Sequence, residues 1–133
     1  MQATKRLARW LLLPAWLLAA GCSSHMTNLT PSTLPHEESG LYHFEIEWKS
    51  TERALNLRAD KVQGYVVVNQ QFHPMSRVPG MPDRWESEVP LPKDQRPVYY
   101  YYKWNYETAG FGRDHPNSTR SRQYRVEING AAP

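Results

Sequence analysis

The chain has 133 residues with 16 Lys or Arg and 13 Asp or Glu, a formal net charge of +3. Three of the bases and none of the acids precede residue 22, so the rest of the chain is formally neutral and suits one domain. A neutral chain lacks the excess of Lys and Arg that nucleic-acid binding requires, so no nucleic-acid partner is expected.

The first 21 residues have the layout of an export signal. Three bases precede an apolar stretch of eleven residues at 10–20, and Cys22 follows directly after small residues. A helix needs about twenty apolar residues to cross a bilayer, so this stretch is too short for a permanent span. The segment resembles a bacterial lipoprotein signal, with Cys22, the only cysteine, in the acceptor position.

That resemblance implies removal of residues 1–21 and lipidation of Cys22 on its thiol and its new amine. Two or more acyl chains hold a protein stably on a bilayer, so the membrane is an expected partner. Ser23 follows the cysteine, which in a Gram-negative host implies the outer membrane. With Cys22 modified, no thiol remains for a disulfide or a metal site. The alternative is a plain cleaved signal that releases a soluble protein.

Residues 22–39 are predicted to be the lipidated cysteine and a flexible tether, because Ser, Thr and Pro are frequent there and no apolar period occurs. The folded domain is predicted at 40–129, and residues 130–133 are predicted to be a short terminal tail.

The domain is predicted to consist of strands. Apolar residues alternate with polar ones in several segments, whereas one segment is almost wholly apolar and β-branched, as expected of a covered central strand. The predicted strands cover residues 42–48, 62–69, 85–91, 98–106 and 124–128.

Proline and glycine predict long loops at 70–83 and 108–120, and residues 51–60 are left open between a short helix and an irregular strand. Five or more strands with almost no helical period predict an all-β fold, an antiparallel immunoglobulin-like β-sandwich.

A run of four tyrosines lies in the longest predicted strand. Because side chains alternate along a strand, Tyr99, Tyr101 and Lys103 are predicted to face away from the core that takes Tyr100 and Tyr102. Exposed tyrosines beside a lysine can stack on a sugar ring and bond its hydroxyls. The alternative is ordinary cross-strand packing on the outer face of a sheet.

Trp85 is a further candidate ligand-binding residue. It falls on the apolar phase of its predicted strand, which favours a place in the core over a place at the surface.

The sequence predicts no enzyme. His73 and His115 lie in predicted loops without a Ser or Cys nucleophile nearby in the sequence. No His pair has the spacing of metal ligands and no Gly-rich phosphate loop occurs, so no catalytic residue, metal or cofactor is expected.

Four short motifs occur in this order along the chain: Trp85, VPLP at 89–92, YYYKW at 100–104 and DHPN at 114–117. In this order the chain resembles the glycogen-binding type of immunoglobulin-like early-set module. It departs from that pattern where NQQF and NYE replace a Gly-rich approach and a Val-Asp-Gly. The resemblance implies a β-sandwich and binding of an α-glucan.

The expected function is that of a lipid-anchored bacterial envelope protein whose non-catalytic β-sandwich presents a surface to another envelope protein. One alternative is a carbohydrate-binding module for a glucan or cell-wall glycan, using the exposed aromatic residues. A second alternative is an accessory subunit of an envelope or secretion complex.

Overall fold

The computed structural model describes residues 25–50 and 58–130, which form ten strands and one 3-10 turn and contain no α-helix. The predicted signal, Cys22 and residues 51–57 of the undecided segment lie outside the described residues. The 3-10 turn covers Ala59–Lys61. The strands are β1 (His25–Asn28), β2 (Thr33–Pro35), β3 (Leu41–Lys49), β4 (Gln63–Val68), β5 (Gln71–Pro74), β6 (Ser76–Arg77), β7 (Arg84–Pro90), β8 (Val98–Ala109), β9 (Asp114–Arg120) and β10 (Tyr124–Asn129).

The strands form two sheets that pack face to face as a β-sandwich. One sheet has the order β1-β3-β7-β6 and the other β2-β10-β8-β4-β5, and β9 also pairs with β8. The pairs are antiparallel except for β2 and β10, which run parallel. An immunoglobulin sandwich sets strands A, B, E and D against strands G, F and C in the same order. The predicted fold class is therefore confirmed.

Aromatic side chains fill the space between the sheets. Phe44 of β3 meets Tyr100 of β8 edge to face, with ring centroids 4.7 Å apart, and Trp48 stacks on Trp104 at 4.9 Å. All four side chains are buried. Rings of this size remove much apolar surface from water, so these contacts contribute strongly to stability. They also place the last residues of β3 beside the middle of β8.

A glycine allows β4 to run close to two of the core indoles. A Cβ atom at Gly64 would lie 2.8 Å from Nε1 of Trp104 and 3.2 Å from Cε3 of Trp85. Both indoles are buried in the packed core, so neither can easily shift to make space for a side chain at residue 64. Only a residue without a side chain therefore fits at this point of the strand.

A bulge separates β9 from β10. The register of β8 shifts by one residue between its pairing with β9 and its pairing with β10, so residues 121–123 oppose only two residues of β8. Ser121 restores the lost ladder bonds, because its Oγ accepts the N–H of Tyr102 at 2.9 Å and its own N–H donates to the Tyr102 carbonyl at 2.9 Å. β9 and β10 thus act as one interrupted strand.

The predicted flexible tether is wrong for its described part, residues 25–39. β1 pairs with β3, with His25 opposite Lys49 and Asn28 opposite Ile46, and β2 pairs with β10. These are edge strands of four and three residues. Main-chain hydrogen bonds hold them, and such bonds need no apolar period in the sequence. The folded domain therefore begins before residue 40.

A buried polar network fastens this first segment to the core. Asn28 Nδ2 donates to the Tyr100 hydroxyl at 2.9 Å, and the Tyr102 hydroxyl donates to Asn28 Oδ1 at 2.9 Å. Thr30 Oγ1 lies 2.9 Å from the Tyr102 hydroxyl and accepts the N–H of Glu45 at 2.9 Å. Burial raises the pKa of Tyr102 above its ordinary value, so the hydroxyl remains a neutral donor.

Two segments predicted as long loops also contain strands. β5 and β6 lie within 70–83, and β9 lies within 108–120. Pro74 and Pro116 predict loops in the sequence, but in the structure they lie in β5 and β9. Both strands are at sheet edges, where a missing N–H donor leaves no ladder bond unmade.

Replacing Thr30 by valine tests whether the first segment is part of the folded domain. Thr30→Val keeps the shape but removes the hydroxyl that serves Tyr102 and Glu45. The free energy of unfolding should fall by about 1–3 kcal/mol, because buried polar groups lose a partner. Urea unfolding followed by fluorescence measures the change. Thr33→Val, at an exposed position of β2, is the matched control and should change it by less than about 0.5 kcal/mol. Equal effects of the two substitutions would contradict the network.

Candidate functional site

The alternation of β8 divides its aromatic residues between the core and the surface. Tyr100, Tyr102 and Trp104 are 1% exposed or less and face the smaller sheet. Tyr99 is 45% exposed, and Tyr101 is half-buried on the same, outward side. The larger sheet therefore carries tyrosines on both of its faces.

The neighbouring strands extend this outward side into a cluster. Tyr101 and Lys103 of β8 lie opposite Val67 and Tyr65 of β4, and Val67 lies opposite Phe72 of β5. On the other side of β8, β9 and β10 contribute Arg120 opposite Lys103 and Arg125 opposite Tyr99. The outer-face cluster is the set of seven residues Tyr65, Phe72, Tyr99, Tyr101, Lys103, Arg120 and Arg125.

Aromatic rings and cations interleave within the outer-face cluster. Tyr65 meets Phe72 edge to face, with ring centroids 5.7 Å apart. Lys103 Nζ lies 5.5 Å from the centroid of the Phe72 ring, and Arg120 Cζ lies 5.8 Å from that of Tyr101. These distances are within the range of cation–π attraction. The cluster is thus an organised surface and not a set of separate side chains.

Val67 gives the outer-face cluster an apolar base. It is 1% exposed although it lies on the side of β4 opposite the core residues Val66 and Val68. The aromatic side chains around it therefore exclude water from the outer face of the sheet. Phe72 remains 49% exposed above this base.

The cluster carries positive charge. Glu127 forms an ion pair with Arg125 and raises the pKa of that guanidinium. Within residues 25–50 and 58–130, no carboxylate forms an ion pair with Lys103 or Arg120. Two cations beside tyrosine and phenylalanine rings suit a partner that presents carboxylates and apolar groups together.

The structure brings together three of the four ligand-binding candidates that the sequence suggested and excludes one. Tyr99, Tyr101 and Lys103 share the outer face. Trp85 belongs to β7 in the other sheet and is 4% exposed, with the Arg77 guanidinium 4.8 Å from its ring centroid. Trp85 is therefore a core residue, as its apolar phase favoured, and takes no part in the cluster.

Four members of the cluster were missed in the sequence. The sequence predicts a strand covered on both sides around Tyr65, and a loop around Phe72. Arg120 and Arg125 carry no local pattern that marks them. Only the pairing of strands across the larger sheet brings these residues beside β8.

An open groove lies near the cluster, between the two sheets. It has a volume of about 770 Å³ and runs between β1 and the bulge, with His25, Asn28, Arg120, Arg122 and Tyr124 among its lining residues. In the described ranges no three His, Cys, Asp or Glu residues lie close enough together to hold a metal ion. No helix in the same ranges is long and apolar enough to cross a membrane.

Comparison of the chain with protein-family models, with curated proteins and with solved structures finds no match. The fold and the outer-face cluster are therefore interpreted from their own geometry.

The different places of Trp85 and Tyr99 lead to a prediction about stability. Trp85→Ala should lower the free energy of unfolding by about 3–5 kcal/mol, because it empties a core position. Tyr99→Ala removes an exposed ring and should cost below about 1 kcal/mol. Urea unfolding of the two variants measures both values. A small loss for Trp85→Ala would place this indole outside the core and return it to the set of surface candidates.

Proposed function

We propose that the chain is a lipid-anchored protein of the bacterial envelope whose β-sandwich binds another envelope protein through the outer-face cluster. The single observation that carries the proposal is the joining, over the buried Val67, of four aromatic rings and two cations that have no carboxylate partner among the described residues. The domain acts in binding and not in catalysis.

Cys22 supports the anchoring part of the proposal. It is the only cysteine, and it follows a short basic and apolar segment in the order that a lipoprotein signal has. The net excess of positive charge, +3, lies in that segment, so the part that remains after cleavage is formally neutral.

The composition of the outer-face cluster supports a protein partner. Tyrosine, phenylalanine and arginine are enriched at the centres of protein interfaces, where rigid aromatic side chains bury large areas at low entropic cost. If the outer face of the larger sheet only contacted solvent, hydrophilic residues would be expected at all of its exposed positions. This sheet instead keeps Tyr99 and Phe72 about half exposed.

The cations distinguish a protein partner from a sugar. A sugar ring stacks on the open face of an aromatic ring, but Lys103 lies over Phe72 and Arg120 lies over Tyr101. A sugar would have to displace both cations, whereas a carboxylate of a protein partner would pair with them. The cluster therefore favours a protein.

A carbohydrate-binding module is the second candidate. Among the described residues no cation lies over the ring of Tyr99, which remains open to stacking. The resemblance of residues 100–104 and 114–117 to glycogen-binding modules favours an α-glucan in that case. An accessory subunit of an envelope or secretion complex would be a variant of the first candidate, in which the protein partner is bound permanently.

Removal of the thiol at residue 22 tests the anchor. Cys22→Ala should move the protein from the membrane fraction to the soluble fraction of the periplasm, because no acyl chain can be attached. The membrane-bound share should fall by about tenfold or more, as measured by fractionation and immunoblotting. Ser23→Ala keeps the acceptor and is the control. Equal membrane binding of Cys22→Ala and the unchanged protein would refute the anchor.

Site-specific photo-cross-linking in cells tests the interaction surface. A photoreactive phenylalanine at Tyr99 or Tyr101 should give a discrete protein adduct, and Phe72→Ala should weaken that adduct severalfold. The same group at His43, which is exposed on the smaller sheet, is the control and should give none. Adducts of equal strength at His43, or none at Tyr99 and Tyr101, would contradict a protein partner on this face.

Calorimetric titration of the lipidated protein in detergent with α-glucan and with peptidoglycan fragments tests the second candidate. Binding that is lost in Tyr99→Ala, together with the absence of adducts at residues 99 and 101, would favour the carbohydrate module over the protein partner.

A further inference from the structure

The hairpin of β8 and β9 ends in a fully exposed aromatic side chain. Its turn, Gly110 to Arg113, is closed by a hydrogen bond from the Gly110 N–H to the Arg113 carbonyl at 3.1 Å. Phe111 has a relative exposure of 108%, more than any other large apolar side chain in the described ranges. The fold buries none of this side chain, so only a contact outside the domain could remove it from water.

The hairpin tip lies at the same end of the sandwich as the beginning of β1. His25 pairs with Lys49, the last residue of β3. Its neighbour Trp48 lies 5.7 Å from Tyr106 of β8, measured between ring centroids. From Tyr106 the hairpin continues for five residues to Phe111, which is about 15 Å further along the strand.

The two features also lie on the same side of the sandwich. β1 and the last residues of β9 line opposite walls of the open groove, with His25 on one wall and Arg120 on the other. The chain therefore enters the domain beside the base of the β8–β9 hairpin.

The length of chain before β1 limits how far the domain can stand from an anchor at Cys22. Cys22 and His25 are three residues apart, a span of at most about 11 Å. The hairpin projects about 15 Å past the level of His25. A bilayer surface that holds Cys22 is therefore within reach of Phe111.

The side chains at this end suit a lipid surface. Arg113 beside the tip is exposed, and no carboxylate of residues 25–50 and 58–130 forms an ion pair with it. Met81, 45% exposed, lies in the turn between β6 and β7, and that turn is joined to this end by the hydrogen bond from the Trp48 N–H to the Asp83 carbonyl at 2.8 Å. Apolar tips beside a cation match the boundary between acyl chains and anionic headgroups.

We propose that the β8–β9 hairpin is a second membrane contact, in which Phe111 enters the acyl boundary and Arg113 pairs with a lipid phosphate. The inference rests on the proposed lipidation of Cys22. The bilayer is the surface that the tip contacts, because the short chain between Cys22 and β1 keeps the hairpin within reach of it. The domain is then fixed in orientation as well as in place.

Spin labelling of the lipidated protein tests the inference. Cys22 is the only cysteine and its thiol carries the lipid, so His115→Cys, at an exposed position next to the tip, supplies a single labelling site and keeps both Phe111 and Arg113. The protein is reconstituted in vesicles of phosphatidylethanolamine and phosphatidylglycerol. In these vesicles the label at residue 115 should be at least about threefold less accessible to a water-soluble nickel chelate than the same label in protein that carries no lipid and is free in solution. Asp94→Cys, exposed in the loop between β7 and β8 at the other end of the sandwich, is the control and should stay equally accessible.

Phe111→Ser in the His115→Cys background shows whether the phenylalanine carries the contact. The protection of the label should be lost in this double variant. Protection that persists, or a label at residue 115 that is as accessible as the one at residue 94, overturns the inference. In the second case the tip stays free for a protein.

Mass spectrometry of the same samples separates this outcome from a failure of the proposed function. A diacylglyceryl group on Cys22 together with an accessible tip overturns only the membrane contact of the hairpin. An unmodified Cys22 overturns the anchor and the hairpin contact with it.

Discussion

The two-residue period of β8 is the constraint on which the rest of the structure depends. The strand lies in the interior of the larger sheet, and its inward residues Tyr100, Tyr102 and Trp104 form the centre of the core. The same backbone presents Tyr99 and Tyr101 outward, so a shift of one residue in its register would exchange core and surface. Because packing in the core holds β8 in this register, it also sets the positions of the outward side chains. A binding surface built on such a strand needs no loop to arrange it.

The inward tyrosines also decide where the domain begins. Their hydroxyl groups cannot be left unpaired inside a sandwich, and Asn28 and Thr30 provide the partners. The first segment is thus required by the chemistry of the core, even though it contributes few apolar side chains of its own. Two tyrosines in place of phenylalanines make the closing of the sandwich dependent on a specific polar segment and not on apolar contact alone.

The sequence was sufficient for the features that follow a local period. It predicted the all-β class, the division of β8 into two faces and the bounds of the long strands to within about a residue, except that β8 continues to Ala109 and not to residue 106. These features show a local pattern of apolar residues within a few positions. It failed for β1, β2, β5, β6 and β9, which are edge strands held by main-chain bonds. Three of them, β2, β5 and β9, also contain prolines, which indicate loops. It also failed for Phe72 and Arg120, because their place beside β8 depends on the register between strands that are distant in the sequence. The lipidation of Cys22 remains a prediction from the sequence.

The short stretch of chain between Cys22 and β1 affects how an anchored protein would encounter its binding partner. If the protein is anchored through Cys22 and through the hairpin as proposed, its strands stand upright on the bilayer, and the outer face of the larger sheet faces sideways, toward other molecules on the same membrane. A partner that is itself held on the same leaflet would meet this face by lateral diffusion, with both molecules confined to a thin layer. Confinement of this kind raises the effective concentration of the two proteins, so that even a weak contact can be well occupied. A freely diffusing partner would gain no such advantage.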